Sequence, residues 1–154
     1  MSDPTQRADG DDATAVLRSF ERSLPMALMR ARESIMSRFR PLLAEHDLSE
    51  QQWRVLRALT ASGPSSIGEL AERTHLLGPS LSRMAATLDR RGLVERRPDH
   101  DDARRTEVSI TDAGRAVVAD VAPHSERVYN EIEAGLGAGR LDELHQLLEQ
   151  LAEW

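Results

Sequence analysis

The chain has no cysteine and no lysine, and only five of its 154 residues are aromatic. Without cysteine there can be no disulfide, no thiolate metal site and no thiol redox sensor. All 20 basic residues are arginine, a bias that genome composition explains as readily as function. No apolar run approaches the ~18 residues of a membrane span, and the N-terminus lacks the form of a signal peptide. The expected compartment is therefore the cytoplasm, with no membrane partner. Catalytic groupings are missing too. His46, His75, His100, His124 and His145 are scattered, with neither an HExxH pattern nor a pair at i, i+4. Residues 135–139, GLGAG, follow a helical stretch rather than a strand, so they do not form a phosphate loop. The run Asp99-His100-Asp101-Asp102 has metal-binding side chains but reads as a solvated loop. The sequence suggests no enzyme, no metal site and no cofactor.

What is present suits a single helical domain: 40% hydrophobic residues and 30% charged. The net charge of −6 is unevenly spread. Residues 1–12 hold one Arg and four acids, and residues 106–154 hold three Arg and ten acids. That leaves sixteen Arg against twelve acids in residues 13–105, a local net of +4 in the part that carries the main motif.

That motif spans residues 66–111. Ser66 and Glu69 form a capping box: the Ser oxygen takes an orphan amide and the Glu reaches back to the cap. A short helix follows, with Ile67, Leu70 and Ala71 inward, ending near Thr74. Gly78-Pro79 opens a second helix with Pro79 at its first position, and Gly92 closes it with the positive φ a C-terminus often needs. Leu81, Met84, Ala85 and Leu88 make one apolar stripe on this helix. Its opposite face carries Ser82, Arg83, Ala86, Thr87 and Arg90. A small, cationic face of this kind fits a DNA major groove, about 12 Å wide. Residues 93–97 and 105–110 read as paired strands around a polar tip bearing Arg104 and Arg105, and a tip arginine suits the narrow minor groove of A/T-rich DNA. The combination is a winged helix-turn-helix.

The rest of the chain frames this unit. Residues 1–12 lack periodicity and are expected to be a disordered tail. A short helical segment is expected at residues 13–22. Ser23 then caps a long helix with the stripe Leu24, Leu28, Ala31, Ile35, Phe39 and Leu42, and Met26, Met29 and Met36 lie off that stripe. Ser49 with Gln52 forms a second capping box, and Leu48 and Trp53 have hydrophobic-staple spacing. Thr111 caps a last long helix to about Gly137, kinked at Pro123. After a glycine hinge, Leu141, Leu144, Leu148 and Leu151 mark a final amphipathic helix. The predicted fold is mainly α with a small β-hairpin wing. Residues 13–154 form one domain: helices 24–62 and 111–154 for dimerisation, and 63–110 as the winged helix-turn-helix. The first long helix is apolar on two sides, and the terminal helices together carry more apolar surface than one small domain needs, which points to a two-fold homodimer that would read a palindrome in double-stranded DNA.

The stretch IGELAERTHLLGPSLSRMAATLDRRGLVERRPDHDDARRTEVSITDAG, above all LDRRGLVERRPD and the D-x-R wing of Asp102 and Arg104, resembles the multiple-antibiotic-resistance regulator (MarR) family. The resemblance covers roughly residues 24–150. The N-terminal stretch LPMALMRARESIMSRFRPLLAEHDLSEQQWRVLRAL is similar to the branch named for the homoprotocatechuate degradation operon. One departure is His100, where relatives of that branch often have proline. The resemblance implies a homodimeric repressor that leaves a palindromic operator when a small aromatic ligand binds between dimer helices and DNA lobes. Ser80, Ser82, Arg83 and Thr87 would then contact bases or nearby phosphates, and Arg104 the minor groove. With Ser66, Pro79, Arg90, Asp102 and Arg105 these make the candidate DNA-binding set.

An aromatic-acid pocket needs an apolar cleft and a cation or hydrogen-bond donor. Candidates are Arg32 with Met29 and Met36, the ring of Trp53, and His46. Equally open is that Trp53 and the methionines are core while Arg32 makes an intersubunit ion pair. Arg38 and Arg40 suit the phosphates of an aromatic acyl-CoA effector, a ligand class the resemblance also allows. The expected role is repression of aromatic-acid catabolism genes. A regulator of efflux or stress genes, or an architectural DNA binder without an effector, remains the alternative.

Overall fold

The computed structural model describes residues 20–99, 102 and 104–154. The expected tail at residues 1–12 and most of the short helix at residues 13–22 lie outside them, as does His100. The chain divides into two compact units, one ending at Ser37 and one running from Arg38 to Trp154.

In the first unit, a single 3-10 turn at Phe20–Arg22 precedes the first helix, and the Ser23 hydroxyl donates to the Phe20 carbonyl at 2.9 Å. Helix α1 (Leu24–Glu45) starts here and continues into the second unit. Of its expected stripe, Leu24, Leu28 and Ile35 are exposed, and so is Met29. Only Phe39 and Leu43, beyond the boundary, are buried, and the helix runs on through Pro41.

The second unit follows the expected order. Helix α2 (Glu50–Ser62) starts at a reciprocal capping box: Ser49 Oγ accepts from the Gln52 amide at 3.2 Å and Gln52 Oε1 accepts from the Ser49 amide at 3.0 Å. Strand β1 (Ser65–Ser66) leads into α3 (Ile67–Thr74), whose box of Ser66 and Glu69 has the same form. His75, in the left-handed region at φ 52°, ends α3. Helix α4 (Gly78–Arg90) begins after Leu77, so Pro79 occupies its second position, not the first; an N-terminal amide is unsatisfied at either place. Strands β2 (Val94–Pro98) and β3 (Thr106–Ile110) pair antiparallel with Val94 opposite Ile110 and Pro98 opposite Thr106.

The wing is more than a hairpin. β1 pairs with the far edge of β3, Ser65 opposite Val108, giving a three-stranded sheet ordered β1-β3-β2. Two serines carry no strand signal of their own, so only tertiary pairing reveals this strand. Helix α5 (Asp112–Leu136), capped by Thr111, runs through Pro123 in one piece. Helix α6 (Arg140–Ala152) has no buried residue.

The core lies where α2, α3, α4 and the sheet meet. Val55, Leu56, Leu59, Leu70, Leu81, Leu88 and Val108 are withdrawn from solvent there, with Trp53 and Val121 in the same cluster. No helix among the described residues is long and apolar enough to cross a membrane.

Candidate nucleic-acid interface

Helix α4 is held by one face and offered by the other. Leu81, Ala85 and Leu88 are fully buried and Met84 is half-buried, as the stripe requires. On the opposite side Ser82, Arg83 and Arg90 are exposed, with Ser80 and Thr87 half-buried. These polar groups run as a ladder: Arg83 Nη2 lies 3.5 Å from Ser80 Oγ, and Arg90 Nη2 donates to Thr87 Oγ1 at 3.1 Å. The Thr87 hydroxyl in turn donates to the Arg83 carbonyl at 3.1 Å. Two guanidinium groups and three hydroxyls thus occupy one face that nothing in the second unit covers.

The wing is shaped by its acids. Asp102 Oδ1 accepts from the Arg104 amide at 3.0 Å, while Asp102 Oδ2 lies 3.7 Å from Arg105 Nε. Asp99 Oδ1 accepts from the Asp102 amide at 3.1 Å. Asp102 therefore organises the turn, the usual work of an Asx side chain. Arg104 is exposed, and its guanidinium makes no hydrogen bond or ion pair among the described residues. A groove of about 530 Å³ joins wing to helices, lined by Ser66, Gly68, Glu69, Glu72, Ser82, Arg104 and Arg105. The structure thereby brings Ser66, Ser82, Arg104 and Arg105 to one site. Glu69 has a carboxyl held below the ordinary carboxylate value by hydrogen bonds from the Ser66 amide and hydroxyl, with Arg73 and Arg105 adding attraction.

Residues 63–110 hold eight Arg and eight acids, so the winged unit is neutral and the surplus of +4 sits mainly upstream, in residues 13–62. Attraction for a polyanion must therefore come from sorting. Glu69 is spent on a cap, Glu95 on Arg97 at 2.7 Å and Asp102 on the wing turn, which leaves Arg83, Arg90 and Arg104 facing out.

Comparison with known proteins decides the family. The MarR family profile matches residues 46–105. The chain is 39% identical over 128 residues to the homoprotocatechuate degradative operon repressor of Escherichia coli, covering 83% of this chain and 86% of that one. The chain belongs to the MarR family. Among solved structures, NadR in complex with 4-hydroxyphenylacetate superposes with a TM-score of 0.77 at 32% identity, covering 88% of this chain and 96% of that chain. CouR bound to a 23-mer DNA duplex superposes at 0.79 with 29% identity, covering 88% and 98%. The fold seen here is the MarR winged helix.

The effector candidates of this MarR-family chain separate in the structure. In the first unit Met29 and Arg32 are exposed and Met36 is half-buried. In the second unit Arg38 pairs with Glu131 at 2.9 Å and Arg40 with Glu50 at 2.8 Å, so both cations are already engaged. Trp53 is buried in the core cluster, and the guanidinium of Arg57 sits 5.9 Å above its ring. Arg57 was not among the expected residues, although its i+4 spacing from Trp53 was readable. His46 Nε2 lies 3.1 Å from Asp120 on α5. The backbone carbonyls of His46 and Asp47 each accept from Arg91, both at 2.8 Å, immediately after α4. Arg91 is a second residue the motifs did not single out. It ties the end of α4 to the corner between α1 and α2.

Proposed function

We propose that this protein is a ligand-responsive repressor, binding a palindromic operator as a homodimer and controlling genes of aromatic-acid breakdown. The observation that carries this is α4: one face is locked into the core and the other presents an uncovered ladder of Ser80, Arg83, Thr87 and Arg90. Such a helix meets base edges in the major groove, while Arg104 on the wing reaches an adjacent minor groove. Exposed leucines along α6 and exposed Leu24, Leu28 and Ile35 on α1 support assembly of two chains. The resemblance to the homoprotocatechuate degradative operon repressor of Escherichia coli supports the aromatic-acid assignment.

The effector is a phenolic acid, held near Trp53 and Arg57. A cation beside an aromatic face suits an aromatic carboxylate. The ion pairs of Arg38 and Arg40 favour the free acid over its CoA thioester, whose phosphates would have to break both pairs.

The test is fluorescence anisotropy on DNA from upstream of the protein's own gene, at fixed salt because phosphate contacts are salt-dependent. Specific binding that one phenolic acid reverses is expected. Arg83→Ala should cost about 1–3 kcal/mol on the operator and much less on random duplex. Tight binding untouched by every phenolic acid and thioester would remove the sensor function. No specific binding would remove the repressor altogether.

A further inference from the structure

Thirteen large hydrophobic residues are exposed among the described residues, and their distribution is uneven. Five lie between Phe20 and Ile35 and seven between Tyr129 and Trp154, on the helices assigned above to dimer assembly. One stands apart. Leu77, 78% exposed, is the single case within the winged unit, and it sits at the leading end of the recognition helix.

The cause is local. Leu77 has the i, i+4 spacing that would extend the buried stripe through Leu81 and Leu88, so a helical residue here would be inward. It is instead the N-terminal cap of α4, with extended backbone at φ −69° and ψ 135° and no side-chain cap bond. Leu76 takes the place against the core, and Leu77 is turned out. Its backbone is nonetheless fixed, since its carbonyl accepts the Leu81 amide at 2.9 Å. Ser, Thr, Asp or Asn would serve better at this cap, so leucine here gives up a capping bond and keeps an apolar surface in water. One exposed leucine in a globular protein is ordinary. One whose backbone is fixed at the start of the helix that presents Ser80 and Arg83 has a specific use.

We propose that Leu77 is a sequence-reading residue that contacts the 5-methyl group of a thymine in the operator major groove. That methyl is the one apolar group the major groove displays, and it marks T·A pairs against the other three. The N-terminal end of a recognition helix is the part that meets base edges. The polar ladder supplies hydrogen bonds to bases and phosphates, and Leu77 adds a methyl reader that hydroxyls and guanidinium groups cannot provide. The inference rests on the DNA-binding function proposed above.

The experiment replaces thymines in the footprinted operator one at a time by deoxyuridine, which deletes the methyl and nothing else. Affinities are measured for the full-length wild type, Leu77→Ala and Leu77→Met. Wild type should lose about fourfold in affinity per buried methyl removed at one thymine per half-site. Leu77→Ala should bind the normal operator more weakly and show no further loss at that thymine. Leu77→Met, which keeps an apolar reach, should retain the penalty. Because Leu77 is exposed, unchanged thermal melts and unchanged binding to random duplex at low salt are expected for both variants. Uracil penalties that are equal in wild type and Leu77→Ala, or absent everywhere, would overturn the proposal while leaving the repressor function standing. Absence of any specific operator binding would overturn both.

Discussion

The winged unit and the helices around it are built on opposite terms. Between residues 63 and 110 nearly every large apolar side chain is withdrawn, both ends of the short α3 are closed, and Glu69, Asp99 and Asp102 are engaged in a cap and a turn. Helix α6 is the reverse: 13 residues without a single buried one, and Leu144, Leu147, Leu148 and Leu151 all in solvent. A helix with an apolar stripe and no core to bury it in is stable only against something else. The first region is finished by its own chain, whereas the second leaves an apolar stripe that its own chain does not cover.

The sharpest way to break this contrast is to charge the open stripe. Leu147→Glu with Leu151→Glu should convert a dimer to a monomer in sedimentation and remove high-affinity operator binding. Each leucine buried in an interface contributes about 1.5–3 kcal/mol, and two-fold symmetry counts every substitution twice. The melt of the winged unit should change little. A wild-type chain that sediments as a monomer at micromolar concentration would sink the two-chain half of the contrast.

Next in size is a change inside the finished region. Gly114, in the first turn of α5, is buried against the end of α4's closing loop. A Cβ there would stand 2.1 Å from the Leu93 carbonyl oxygen and 2.8 Å from Ile110 Cγ1. Neither can yield cheaply, because Leu93 and Ile110 anchor the sheet and the Thr111 hydroxyl already donates to the Gly92 carbonyl at 2.6 Å. Gly114→Ala should therefore lose about 3 kcal/mol, seen as a Tm lower by about 6–12 °C for a chain of this size. The dimer should persist at low temperature. A variant as stable as wild type would show that the corner is looser than its contacts indicate.

What was legible in the sequence follows the same division. Both capping boxes, the α4 stripe, the Gly92 stop and the wing strands are local signals, and each appears within a residue of its expected place. Strand β1, the Arg91 tie to His46 and Asp47, and the seat of Gly114 against Leu93 depend on residues 21 to 45 positions apart, which no short pattern reports. Arg38 and Arg40 were candidates for ligand phosphates. The structure pairs them with Glu131 and Glu50, and the 93-residue separation of the first pair lies beyond any periodicity. The effector candidates were hardest to read because all but His46, in the turn between α1 and α2, lie on those two helices, and no short motif marks a ligand pocket there.

The smallest effect distinguishes two elements that look identical in geometry. Ser49 with Gln52 and Ser66 with Glu69 are the same reciprocal capping box, one closed by a neutral amide and the other by a carboxylate. Removing either serine should cost about 1 kcal/mol at neutral pH. Their responses to acid should differ. The Glu69 carboxyl is held below its ordinary 4.5 by the Ser66 hydrogen bonds, so the folded state binds its proton less readily than the unfolded chain does. That contribution is therefore complete above the unfolded value and is lost as pH falls through the lowered folded one. The deficit of Ser66→Ala relative to wild type should shrink as pH drops below 4.5, while that of Ser49→Ala stays level, since Gln52 does not titrate. Urea melts of the three proteins across the acid range measure both differences against a common background. Parallel deficits at every pH would mean that the charge on Glu69 adds nothing to the cap. A deficit that closes only for Ser66→Ala would show the winged unit holding one of its acids ionised for structure, at the edge of the groove that Arg104 and Arg105 line.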